Sequence, residues 1–250
     1  KKRYKILLGF LALLLILAGL VALLVYNSAI QTFAVNTYLN SLSKKLKTTI
    51  SVGKVDVAFF DEVNIYDLYA QDLKNDTLFY SEKINVEIEQ FSYKMKLIEL
   101  DEAIITNAYF NLKKYKNDTT TSLQFIIDHF KSDSKKKSDW VFSINNVGLE
   151  NVRFNYIDEN KDQKPYGVDF SHLSLTKVNS HFSKIKLIEK GVACTIDKLN
   201  LREKSGFILD TLMADAQVSH LGISTQGLKL TTPNSSVRGN VSFATKEYKD

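Results

Sequence analysis

Two stretches of the chain, AIITNAYFNLKK at Ala103 to Lys114 and VGLENVRFNYID at Val147 to Asp158, carry the same pattern. With Asn151 set on Asn107, 44 positions earlier, the apolar residues fall in step: Phe142 on Ile98, Ile144 on Leu100, Val147 on Ala103, Leu149 on Ile105, Val152 on Ala108, Phe154 on Phe110 and Tyr156 on Leu112. A period of two marks a strand with one buried face. In both copies the apolar set jumps from odd to even positions or back across the Asn, which calls for a bulge or tight turn at a residue that tolerates unusual backbone angles. The same slip occurs around Asp67, between Val63/Ile65 and Leu68/Ala70, and around Asp197, between Cys194/Ile196 and Leu199/Leu201. Similar β units in series predict a repeating sheet.

The formal charge of +5 would suggest an anionic partner until it is located. Lys1, Lys2, Arg3 and Lys5 supply +4, leaving a nearly neutral body. A nucleic-acid footprint needs Lys and Arg gathered on one folded face, so no nucleic-acid partner is expected. The run KSDSKKKSD at Lys131 to Asp139 lacks interleaved aromatics and reads as a solvated loop.

From Ile6 to Tyr26 no charge interrupts 21 residues. As a helix this run reaches roughly 32 Å, enough to cross a hydrocarbon core. A cleaved signal peptide is the alternative, but its apolar region is shorter, about 7 to 15 residues, and ends at a small-residue site that NSA matches poorly. A retained anchor over residues 1–27 is therefore expected. Its basic end, Lys1, Lys2, Arg3 and Lys5, would stay in the cytoplasm and the rest of the chain outside it.

Residues 28–48 form an amphipathic pattern, with Val35, Leu39, Leu42 and Leu46 at steps of four, three and four and Lys44, Lys45 and Lys47 at the end. Such a helix could lie on a membrane or cap a sheet edge; the narrow stripe favours the edge. From residue 49 to 250 strand signals dominate, cleanest in KINVEIEQF, where Ile84, Val86 and Ile88 alternate with polar residues. The exception is SLQFIIDHF, a short helix with Ser122 as its cap.

Chemistry is sparse. The four histidines, His129, His172, His181 and His220, lack a partner at metal-ligand spacing, and His172 reads as a surface residue. Cys194, the single cysteine, reads as a packed thiol. There is no phosphate loop, nucleophile elbow or H-E-x-x-H, so neither an enzyme nor a cofactor is expected.

The order of a basic start, an apolar span, a helix running into ISVGKVDVAFFDEVNIYDLYAQDLKNDTLFYSEKINVEI, then KLIELDEAIITNAYFNLKKYKNDTTTSLQFIID, resembles the N-terminal region of the TamB branch of AsmA-like envelope proteins. These are inner-membrane subunits of the translocation and assembly module of Gram-negative bacteria. KSGFILDTLMADAQVSHLGISTQGLKLTTPNSSVRG is similar to the same branch. The resemblance implies a mainly β fold. A transmembrane helix and an amphipathic helix would precede a repeating antiparallel sheet curled into a hydrophobic β-groove, which would continue beyond residue 250. It implies a single-pass inner-membrane protein with a periplasmic body that carries phospholipid toward the outer membrane. An Omp85-type outer-membrane barrel would be reached through regions not present here. The alternative is a periplasmic scaffold that assists outer-membrane protein insertion.

The residues expected to line the lipid groove are Ile65, Leu68, Ile84, Val86, Ile105, Phe110, Leu149, Val152, Phe154, Leu173, Leu175, Leu199 and Leu201. Alternation alone favours a closed sandwich with these faces as its core; the resemblance reverses that preference toward the open groove.

Overall fold

The computed structural model describes residues 27–58, 61–133, 141–188 and 191–244. The expected anchor at Ile6 to Tyr26 and its basic flank, Lys1, Lys2, Arg3 and Lys5, lie outside the described residues. Helix α1 spans Ser28–Leu46. Asn27 is extended, and its side chain accepts a hydrogen bond from the Ala29 N–H at 2.9 Å, so α1 begins there as a separately capped helix. Lys47, in the left-handed region at φ 56°, ends it.

The strands are β1 (Ile50–Ser51), β2 (Lys54–Ala58), β3 (Glu62–Gln71), β4 (Thr77–Ser92), β5 (Leu97–Lys114), β6 (Val141–Asp158), β7 (His172–Ile188), β8 (Gly191–Glu203), β9 (Ile208–Ser219), β10 (Gly222–Thr232) and β11 (Ser235–Ala244). They occupy more than half of residues 50–250 and form one sheet in chain order, with β1 and β2 as two segments of the edge beside β3. A sandwich needs two sheets; the described residues make one.

The sheet is largely but not wholly antiparallel. β5 and β6 pair in parallel, and every pair between them, from Leu97↔Val141 to Lys114↔Asp158, keeps the offset of 44. The repeat in the sequence is thus also the register of a parallel ladder, in which like residues stand side by side. The chain returns through helix α2 (Gln124–Asp133), the crossover that parallel neighbours require. This helix runs three residues into the stretch read as a loop. Ser122 does not cap it: its hydroxyl accepts from the Lys113 N–H at 3.0 Å instead.

The alternation slips have a common cause. Asp67, Asn107 and Asn151 all sit in the left-handed region, at φ 53°, 50° and 52°. No residue is inserted at Asp67, because Tyr66↔Lys83 and Leu68↔Ser81 keep one register on either side of it. At Asp67, and likewise at Asn107, the slip is therefore a reversal of the pleat rather than a bulge and leaves residues three apart on the same face, whereas around Asn151 the ladder from β6 to β7 also shifts register, between Leu149 and Val152. At Asp197 the expected bulge is present, although Asp197 itself does not take the left-handed region. The register shifts between Ile196 and Leu199, but the left-handed residues nearby are Lys177 and Lys184 on the neighbouring β7. Three steps along β8 from Ile196 to Leu199 match two along β9, and two from Ile196 to Lys198 match one along β7, so the extra residue lies in β8 itself.

The edge at β1 and β2 is closed by α1. Val35, Leu39 and Leu42 are half-buried and Leu46 is buried along its inner face. Polar side chains between them bond the edge backbone. Asn36 Nδ2 donates to the Val52 carbonyl at 3.0 Å, while Thr32 Oγ1 and Gln31 Oε1 accept from the Val55 and Val57 N–H groups at 2.8 Å each. The helix thereby satisfies groups that would otherwise invite another strand. At the opposite edge β11 is exposed along nearly its whole length, with no partner on its outer side among the described residues.

Candidate apolar track

Cross-strand pairing lines up one residue from each strand between β2 and β11: Val55, Ile65, Ile84, Ile105, Leu149, Ser180, Leu199, Leu212, Leu230 and Val237. With strands about 4.8 Å apart, the row crosses about 43 Å of sheet. It is apolar except at Ser180, a buried residue whose hydroxyl has no partner. Directly paired residues share a face, so the row is one line, apolar on either side of Ser180.

The thirteen residues singled out from the sequence share this face. Ile65, Ile84, Ile105, Leu149 and Leu199 belong to the row, and Val86 pairs with Val63 and Ala103 two residues further along. Across the pleat reversals, Ala108, Val152 and Val178 form a small buried cluster, with Phe79, Ile105, Leu149, Leu175, Leu199 and Leu201 packed against it. Leu68 joins through Ser81, which pairs with both Leu68 and Ala108. Phe110 and Phe154 stack with ring centres 5.7 Å apart, Phe79 meets Phe110 edge-on at 6.2 Å, and Phe154 pairs with Leu175. Leu173 lies opposite Tyr156, two residues from Leu175.

Only Val152 of the thirteen is buried; the other twelve are half-covered. A half-covered large apolar side chain leaves on the order of 1 kcal/mol of burial unrealised. The deficit grows toward the far edge, where Ile223 pairs with Val218 and Phe243 and each remains more than two-fifths exposed. Sequence reading missed Leu212, Leu230 and Val237, which extend the line through β9 to β11; for Leu212 and Leu230 the even alternation along LDTLMADA and GLKLT was the available signal.

The opposite face carries polar side chains in a similar line. Asn107 Nδ2 donates to Glu82 at 2.8 Å, and Asn151 Nδ2 to Asn107 Oδ1 at 2.7 Å. The Asn151 N–H donates to Asn179 Oδ1 at 2.8 Å, and Asn179 Nδ2 to Asn200 Oδ1 at 3.1 Å. Near this ladder His181 bridges two strands, Nδ1 lying 2.8 Å from Asp197 and Nε2 3.0 Å from Glu102. Gly148 of β6 pairs directly with His181. The Asp197 bond, opposed by partial burial and reinforced by Glu102, holds the imidazole above its ordinary value.

Buried carboxylates anchor turns of the sheet. Asp72 accepts from the Lys74 and Asp76 N–H groups at 2.8 and 3.0 Å, and Glu203 from that of Ser205 at 2.7 Å. Asp169 accepts from the Lys164 and Ser171 N–H groups at 2.9 Å each and faces His172 Nδ1 at 3.1 Å. His172 is thus a partnered, mostly covered residue and not the surface residue expected. Its covering is invisible to alternation because it comes from the loop before the strand. Cys194 is half-buried opposite Ala216, and burial pushes its thiol up.

Chemically, the apolar face can hold alkyl chains and the polar face can meet water. Among the described residues no trio of His, Cys, Asp or Glu is placed to hold a metal ion. No protein-family model matches the chain, and no curated protein matches it.

Proposed function

We propose that the chain is a membrane-anchored envelope protein that carries the acyl chains of phospholipid along the apolar face of its sheet. The observation that carries this reading is the row from Val55 to Val237, apolar but for Ser180 and half-covered over most of its length in a single-layered sheet. Each acyl methylene kept from water there gains about 0.8 kcal/mol. The resemblance to the TamB branch supports the same role, with an inner-membrane anchor at Ile6 to Tyr26, a periplasmic body and delivery toward an outer-membrane barrel of the Omp85 type. A photo-crosslinker at Ile105 or Leu149 in intact cells should capture phospholipid, and one at the exposed Glu87 should not. Equal capture at all three positions, or none, would remove the conduit.

The free outer edge of β11 favours a second reading, a scaffold that receives strands of other proteins by adding them to the sheet. Peptide captured at Val237 or Val241, with no lipid captured at Ile105, would favour it.

A further inference from the structure

We infer that the outer face of α1 lies in the surface of an anionic bilayer, so that the helix is held between the sheet edge and the membrane. The inner face, used for the edge, takes Gln31, Val35, Asn36, Leu39, Leu42 and Leu46. On the opposite side Ile30 and Phe33, three positions apart, stand 42% and 74% exposed, and Tyr38, on the flank beside Gln31 and Leu42, stands 65% exposed. Apolar and aromatic side chains exposed to this degree suit the headgroup boundary of a bilayer.

Two further observations select a lipid surface as the occupant. First, the apolar run at Ile6 to Tyr26 ends one residue before Asn27, so the first turn of α1 starts beside the bilayer if that run is a retained span. The inference rests on that part of the proposed function. The extended backbone at Asn27, with its own cap, lets α1 turn from the direction of the span and run along the surface. Second, α1 contains no Asp or Glu, and its exposed end carries Lys44 and Lys45, followed by Lys47. Ammonium groups at that depth reach lipid phosphates while their stems cover apolar surface.

Tryptophan placement in the full chain tests the inference. Trp140 is the single tryptophan, so Trp140→Phe gives a silent background into which Phe33→Trp, Tyr38→Trp or Tyr166→Trp is introduced. Tyr166, 86% exposed in the loop between β6 and β7, serves as the water-exposed reference. In vesicles of phosphatidylethanolamine and phosphatidylglycerol, emission from positions 33 and 38 should shift to the blue and fall at least twofold with lipids brominated near the headgroup. Position 166 should keep its emission. Replacing phosphatidylglycerol by phosphatidylcholine should weaken quenching at position 38, next to the lysines. If the chain floats with vesicles but position 33 behaves like position 166, the docking is wrong and the anchor stands. If the chain does not float, anchor and docking fall together. Quenching at position 33 without lipid capture at Ile105 would sustain the docking and remove the conduit.

Discussion

The side-chain amide of Asn151 donates to the side-chain oxygen of Asn107 at 2.7 Å, joining two left-handed residues on adjacent parallel strands at the point where both pleats reverse. Two demands meet at each position: a positive φ that Asn tolerates, and a ladder bond that only a side chain with both donor and acceptor can extend. The substitutions Asn151→Gly and Asn151→Val separate them. Glycine keeps the backbone and loses the bond, at about 0.5 to 1.5 kcal/mol. Valine loses the bond and adds backbone strain of about 1 to 2 kcal/mol. Urea midpoints should rank wild type, Gly, then Val. A valine variant as stable as the glycine one would show that the left-handed backbone carries no strain there.

Charge on the apolar face should act according to depth. Val152, 7% exposed, lies in the buried cluster with Ala108 and Val178, whereas Leu212 is half-covered and outside it. An unpaired carboxylate at Val152→Asp costs several kcal/mol, comparable to the whole stability of a domain, and should yield degraded protein. At Leu212→Asp the charge can reach water, so the protein should accumulate while lipid capture at Leu149 falls. The measure of stability is a protease-resistance profile of each variant in membranes, and a resistant Val152→Asp protein would contradict the cluster.

The loop between β6 and β7 should loosen in acid. The Lys164 N–H holds the Asp169 carboxyl down to about 2 against the effect of burial, with help from Ser171 and His172. A depressed carboxylate contributes stability that is present above its ordinary value of 3.8 and lost as pH falls through about 2. Asp169→Asn keeps one acceptor oxygen but turns an amide N–H₂ toward a backbone donor. It should lower the urea midpoint at neutral pH and flatten the loss of stability between pH 4 and 2, relative to wild type. An unchanged acid limb would assign that loss to other carboxylates.

At the other end of the scale, the bridge from His181 to Asp197 and Glu102 should weaken with rising pH. The imidazole is raised above 6.5, so its contribution is complete below 6.5 and fades as pH climbs through the raised value. Protonated, the ring donates to both carboxylates; neutral, it can donate to only one. His181→Gln should make stability flatter across pH 6 to 9 in thermal melts. The bridge contributes nothing if wild type and variant lose stability in parallel over that range.

The offset of 44 was legible because an in-register parallel pair sets like residues side by side. The direction of the pair was not, since a period-two pattern reads alike whichever way the chain runs. Asp67, Asn107 and Asn151 announced their backbone through residue type, whereas Lys177 and Lys184 take the same left-handed angles with side chains that carry no such signal. The apolar residues of the track were read from alternation as far as Leu201. Beyond it, register shifts in β9 and β10 hid how Leu212 and Leu230 continue the line. The polar residues of α1 were opaque for another reason: Thr32 and Asn36 look like ordinary exposed positions until the edge they bond is in place.

Those two side chains give a test of how the sheet is terminated. Thr32 Oγ1 accepts from the Val55 N–H at 2.8 Å, and Asn36 both donates to the Val52 carbonyl and accepts from the Val52 N–H, at 3.0 and 3.2 Å. Val52 and Val55 are buried, so water cannot readily take over these groups. Thr32→Val and Asn36→Leu preserve size and remove the bonds, which should cost about 1 to 3 kcal/mol for each backbone group left unsatisfied. The double variant should also release α1 from the edge and expose the β1 and β2 backbone as a template for another chain. The expected result is a lower urea midpoint for each single variant and concentration-dependent self-association for the pair, seen by light scattering. A double variant that loses stability without associating would mean that Val35, Leu39, Leu42 and Leu46 alone keep the helix seated.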